Sequence, residues 1–367
     1  MELINATKMQ AGYTMGMEPS GRELLVVVVK GTFHLPKNGE SPRLHEIQQP
    51  MVMADTFTDE PGLSAPVLEV DFAPRKHRCD VLFVGSAHAP GGKPVTRIPV
   101  GLKVGALTKS FAVVGPRTWR ANTLSVSAGD PAPFVTQPIS YDLAFGGVDN
   151  FHEDPDKHHA FMANPVGKGF HKHLNTSWVD GAPMPNTEEL NNSITATDGN
   201  YQPMALGPVG RGWESRSRYA GTYDQNWQDN IFPFLPADFD ERFYQAAPVD
   251  QQIDYLKGGE EIILANLTPE GKTIFQLPHI EMPVHFFLKQ GGRVDMKGNL
   301  DTLMLAPDAG YFSMTWRATQ PLKKNIFEIG QVLVGNQPPT WWRARQLGKT
   351  YYVSLAELAR ARRQNPL

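Results

Sequence analysis

Five histidines fall between residues 152 and 173: His152, His158, His159, His171 and His173, with Glu153, Asp154 and Asp156 beside them. Imidazole and carboxylate are ligands of zinc and non-haem iron, but a site needs three or four of them converging on one point. The stretch HHAFMANPVGKGFHKH has neither the HExxH helical spacing nor paired cysteines. It reads as a polar loop surface, and the spacing does not settle whether the cluster holds a metal. Acid pairs form a second candidate. Asp238 with Asp240, or Glu260 with Glu261, could work beside Trp213 or Trp227 in sugar hydrolysis or sugar binding. That chemistry needs two carboxylates about 5–10 Å apart across the scissile bond, and an Asp in PADFD more simply caps a short turn.

Other catalytic patterns are missing. There is no nucleophile elbow, phosphate loop or dinucleotide fingerprint. GGVDNFHEDPD lacks the calcium-loop spacing and its terminal glutamate. Lys168 stands between glycines in NPVGKG, yet no Ser or Thr follows it. The sequence therefore names no catalytic residue, metal ligand or cofactor. Aromatic rings and arginine are the better candidates, because interfaces are enriched in both. Trp213, Tyr223, Trp227 and Phe239 in the middle of the chain, with Trp341, Trp342 and Arg345 near its end, are candidate partner-binding residues. The simpler alternative for any single ring is a place in the core. The basic cluster Arg343, Arg345, Lys349, Arg360, Arg362 and Arg363 reads as a solvated helix end that could meet an acidic partner.

The elements that position these residues are mostly strands. Gly 33 and Pro 31 in 367 residues exceed the usual share of about 12%, which favours turns and ordered loops over a helical bundle. Residues 22–35 (RELLVVVVKGTFHL) form a β-branched run bounded by Gly21 and Pro36, a buried strand. Further strands are predicted at 50–57, 67–72, 80–87, 96–104, 107–114 and 118–126, separated by Pro-Gly and Gly-Asp-Pro turns. Their spacing predicts an antiparallel sandwich or barrel-like lobe over residues 1–135. From 136 to 258 the periodicity fails, with short helices expected only near 187–191 and 238–244. Its density of aromatics argues against disorder and for a packed, irregular layer. A hairpin at 260–278 opens a second β-rich lobe over 259–367, with strands at 284–288, 293–306 and 310–317 and a helix or strand at 324–335. Ser354 and Glu357 make a capping box for a C-terminal helix over 354–363. The expected fold is mainly β: two β-rich lobes joined by a long ordered irregular layer, with a short C-terminal helix.

A net charge of −3 and a pI near 6.4 give no case for nucleic acid or an anionic membrane. The one cysteine, Cys79, fits a reducing compartment. No stretch approaches the ~20 apolar residues of a membrane helix, and the N-terminus lacks a signal-peptide pattern. The reading is a cytoplasmic protein.

The ordered motif blocks then carry a resemblance. They are Asp142-Leu143-Ala144-Phe145-Gly146-Gly147, Asn164-Pro165-Val166-Gly167-Lys168-Gly169-Phe170, Pro185-Asn186-Thr187-Glu188, and Gly207-Pro208 up to Trp213. Ala220-Gly221-Thr222-Tyr223-Asp224 with Trp227, Leu235-Pro236-Ala237-Asp238-Phe239-Asp240, Ala247-Pro248-Val249-Asp250-Gln251 and Gly258-Gly259-Glu260 complete the set. The chain resembles a bacterial domain-of-unknown-function family encoded beside type VI secretion genes. The resemblance implies a non-enzymatic adaptor or chaperone that loads a toxic effector, or its PAAR-like spike-tip domain, onto the spike protein. A structural accessory of the secretion apparatus is the weaker alternative. The family has no catalytic residues to carry over.

Overall fold

The computed structural model describes residues 1–364. Strands take up 36% of it and helices 14%, so the class is mainly β. The largest sheet has six strands, in the spatial order Gln252–Ile253, Cys79–Phe83, Asn299–Ala306, Tyr311–Pro321, Glu23–His34, Gln10–Met17. Its pairings are antiparallel except that of Cys79–Phe83 with Asn299–Ala306. A five-stranded antiparallel sheet runs Thr187–Glu188, Leu107–Val114, Arg97–Val104, Glu261–Ala265, Lys272–Gln276. A four-stranded sheet joins Glu2–Asn5, Ile329–Val334, Pro283–Leu288 and Arg293–Lys297. Among the described residues no sheet closes into a barrel.

Burial explains the strand sequences. In Glu23–His34 the odd positions Leu25, Val27, Val29 and Phe33 enter the main core. The even positions Leu24, Val26 and Val28 pack on the other face beneath Met51 and Phe72. Side chains alternate across a strand, so a strand covered on both faces reads as an unbroken apolar run. In Arg97–Val104 only Ile98, Val100, Leu102 and Val104 point inward, and the sequence alternates accordingly. The main core draws on all three large sheets: Val81 and Leu303 from the first, Phe111 and Ile262 from the second, Phe286 and Val332 from the third. Strands from both β-rich ends meet in the same sheets, as when Asp80 pairs with Thr302 and Leu102 with Leu264. The sequence boundaries near 135 and 259 mark changes in regularity, and strand pairing crosses them.

Several local expectations change. The strand expected at 50–57 shrinks to Thr56–Phe57. That at 118–126 is a hairpin, Trp119–Ala121 with Val126–Ala128. The strand expected at 293–306 breaks at Gly298, whose amide turns to Met282 O (2.7 Å). The helix expected at 187–191 is instead the edge strand Thr187–Glu188, recruited by pairing with Ala112 and Val113. Residues 324–335 resolve as a 3₁₀ turn followed by the strand Ile329–Val334. The C-terminal helix Leu355–Gln364 starts with half of the expected box: Glu357 N donates to Ser354 Oγ (3.2 Å), while the Glu357 carboxylate accepts from Val353 N (2.8 Å), one residue before the cap.

The irregular middle is tied to the sheets by buried side chains. Gln251 has no exposed surface. Its Nε2 donates to Val81 O (2.9 Å) and Leu206 O (2.8 Å), and its Oε1 accepts from Lys109 Nζ (2.8 Å). Replacing a buried, fully used amide with an apolar side chain strands its partners. Gln251→Leu is expected to lower unfolding stability by about 2–3 kcal/mol in urea titration; a change within about 0.5 kcal/mol would show the clamp to be dispensable.

Candidate partner-binding surface and polar clusters

The structure sorts the candidate aromatics into two groups. Trp213 is 6% exposed and packs edge-on against Tyr141 (5.0 Å, 88°), inside the main core. Phe239 is also buried, against Phe243 and Tyr244. This chain's own packing holds both rings. Tyr223, by contrast, is 51% exposed, with Phe232 at 67% and Phe234 at 46%. They gather around Trp227 on the helix Gln225–Asn230, which Asp224 caps by accepting from Trp227 N. Trp227 meets Tyr223 (4.8 Å, 71°) and Phe232 (5.6 Å, 88°) edge-on, and its Nε1 donates to Phe234 O (2.9 Å). Residues 223–234 thus form an aromatic tip, held in shape by its own hydrogen bonds while its rings face water.

A second patch lies on the helix Pro339–Gln346, which the sequence did not suggest. Trp341 and Trp342 are half-buried and perpendicular (4.9 Å, 86°). Arg345 stacks 3.6 Å from the Phe287 ring centre, and Arg293 lies 4.7 Å from that of Trp342. These cation–π contacts fix the helix on the hairpin Pro283–Leu288 with Arg293–Lys297. Part of each ring therefore does structural duty.

Each of the candidate acids already holds a partner. Asp238 accepts from Thr222 N (3.0 Å) and Thr222 Oγ1 (2.7 Å), and these bonds hold its carboxyl below the usual range. Asp240 pairs with Arg242, whose side-chain hydrogen bond holds that carboxyl low as well. A general acid needs the opposite shift. Glu260 accepts from the amides of Lys257 and Gly258, and Glu261 pairs with Lys103. A cavity of about 320 Å³ beside Trp213 is lined by Asp55, Glu69, Arg211 and Arg216. Its charges are spent on one another: Arg216 grips Glu69 through two bonds (2.8 and 2.9 Å), and Arg211 reaches both Asp55 and Glu69.

The histidine cluster is only partly drawn together. His152 and His173 face each other through Nε2 (3.1 Å), and His158 Nε2 lies 2.8 Å from His152 O. His171 stands apart, its amide bonded to Thr197 O. Behind His173, the fully buried Asp149 carboxylate meets His173 Nδ1 (2.9 Å) and accepts from the amides of Phe151, Lys172 and His173. Among the described residues, the one group of three converging donors is instead His34, His45 and Glu46, which the sequence did not single out.

The motif blocks are clamps. Asp142 accepts from Thr58 Oγ1 (2.6 Å) and Ala65 N (2.9 Å). The buried Asn164 donates to Tyr141 O and Phe145 O. Gly146 sits at φ +150°, where a Cβ would fall 2.1 Å from Asn164 O, so only glycine fits.

Residues 20–317 match the family described as "Uncharacterized protein conserved in bacteria (DUF2169)", well over half of the 367 residues. The chain is a DUF2169 protein. Comparison with curated proteins and with solved structures gives no match. In this DUF2169 chain the aromatic tip lies inside the matched stretch, whereas the helix Pro339–Gln346 lies beyond it.

Asp149 gives a pH-dependent test of the histidine cluster. Burial pushes its carboxyl up, but the His173, Phe151 and Lys172 amides and the His173 ring outweigh burial and hold it below the ordinary range. A depressed folded pKa adds stability that is present above the unfolded value and lost as pH falls through the folded one. Asp149→Asn is expected to lose about 1–3 kcal/mol at pH 7. The gap to the unaltered protein should narrow below about pH 4 in urea titrations. A gap constant from pH 7 to about pH 3 would mean the carboxylate's charge is not what matters.

Proposed function

We propose that this DUF2169 protein is a cytoplasmic, non-enzymatic adaptor that binds a type VI effector, or its PAAR-like spike-tip domain, and loads it onto the spike. The motif blocks bring the type VI context by resemblance. The observation that carries the reading is the aromatic tip at residues 223–234, with Tyr223, Phe232 and Phe234 between 46% and 67% exposed on an internally bonded loop. Covering one large apolar side chain stabilises an assembly by roughly 1.5–3 kcal/mol. Because the tip is already shaped, little ordering entropy opposes docking. In this mechanism the rings cover apolar effector surface until the effector is seated, and no bond is made or broken. The low-held carboxylates of Asp238 and Asp240 favour this reading over a sugar-cleaving one.

The test is recovery of the tagged protein from a bacterium with an active type VI system, with bound proteins identified by mass spectrometry. The expected result is one effector or PAAR-like protein in near-equal amount. Phe232→Ser and Tyr223→Ser should weaken its binding at least about tenfold, a loss typical of an interface anchor, with the thermal midpoint unchanged. Recovery of no such protein while the effector is expressed overturns the proposal. Assembly failing for every effector when the gene is removed would point to a structural accessory instead.

A further inference from the structure

The strand Glu23–His34 ends at a turn, and the chain comes back alongside it with Leu44 bridged to Phe33. His34 N donates to Arg43 O (2.9 Å) and His45 N to Thr32 O (2.8 Å). Gln48 locks the returning segment: its Oε1 accepts from Thr32 N (2.8 Å), and its Nε2 donates to Thr32 O (3.1 Å) and His45 O (2.6 Å). Gln49 N donates to the buried Thr32 Oγ1 (3.0 Å). Two imidazoles are thereby carried on backbone that is fixed on both sides.

Their rings stack at 4.0 Å with 21° between planes. His34 Nε2 lies 2.7 Å from Glu46 Oε2, His45 Nδ1 lies 3.9 Å from the same oxygen, and one donor atom from each residue falls within 4.8 Å of the others. Ligands about 2.0–2.1 Å from a tetrahedral ion stand roughly 3.3 Å apart. The observed separations bracket that value, and one imidazole turning out of the ring stack would bring both in-plane lone pairs to a common point. Two imidazoles with one carboxylate suit a borderline cation such as zinc, whereas magnesium and calcium prefer oxygen throughout. We propose that His34, His45 and Glu46 bind one divalent transition-metal ion, zinc above all, with a fourth position open to water or to a partner's side chain. The ion pins the segment after the turn to the end of the longest strand in the largest sheet. It also displaces one existing bond, since His45 Nδ1 accepts from Ile47 N (3.0 Å). Ile47 is 71% exposed, so its freed amide turns to water.

The experiment is calorimetric titration of the full chain with zinc chloride, alongside His34→Ala, His45→Ala, Glu46→Gln and His152→Ala. Loss of a ligand should weaken zinc at least as much as the 10–100-fold typical of losing a ligand's supporting hydrogen bond. The expected result is one zinc per chain, weakened at least tenfold by each of the three ligand variants, but kept by His152→Ala. Amide NMR should show Ile47 among the resonances that move on saturation, while magnesium chloride moves none of them. No uptake below about 100 µM zinc, an affinity of roughly −5.5 kcal/mol, overturns the proposal. So does uptake that survives His34→Ala and His45→Ala, or that disappears with His152→Ala, which would assign it to the facing pair His152 and His173. Unchanged thermal midpoints in the metal-free variants keep a loss of zinc distinct from a loss of fold.

Discussion

The Gln251 carboxamide is shared among the strand Cys79–Phe83 of the largest sheet, the strand Leu107–Val114 of the second and the irregular segment through Leu206. A segment without regular structure has no ladder of its own, so its buried backbone groups need partners from side chains or from neighbouring strands. Asp80 repeats the device. Its carboxylate accepts from Lys76 Nζ (2.7 Å), Gln245 Nε2 (2.7 Å) and Ala246 N (2.8 Å), and it too is wholly buried. The middle third of the chain keeps its shape because such hubs replace the hydrogen bonds that periodic structure would supply.

Charge is buried on the same terms. Arg317 bonds Asp301 (2.6 Å) and the carbonyls of Asp71 and Ala73, and Glu188 receives both Arg97 and Arg117. Removing one member of such a pair leaves an uncompensated charge in the interior, so these contacts fix a geometry more than they add stability. Carboxylates that look available in the sequence already hold amides, ammoniums or guanidiniums.

What could be read from the sequence follows what is local. The valine run before Lys30, the hairpin around Pro269-Glu270-Gly271 and the Ser354 cap all appear where their neighbours dictate. Partners were not legible, because nothing near Asp80 in the sequence points to Thr302. The same blindness covered the candidate site. In a segment without a period, no face is assigned to any ring, so buried Trp213 and Phe239 look the same as exposed Tyr223. His34 and His45 are eleven residues apart across a turn, and only the strand return places them ring on ring.

The strand Glu2–Asn5 lies parallel to Ile329–Val334, pairing Leu3 with Val332 and Ile4 with Leu333. A contact between residues more than three hundred positions apart forms only after both strands have been made. Glu2–Asn5 therefore waits for Ile329–Val334, and parallel pairing across so long a separation is slow even once both are free. Until then its neighbours expose apolar surface and open backbone edges. Completion of this four-stranded sheet thus comes late in folding, and its strands stay open to wrong pairings until then.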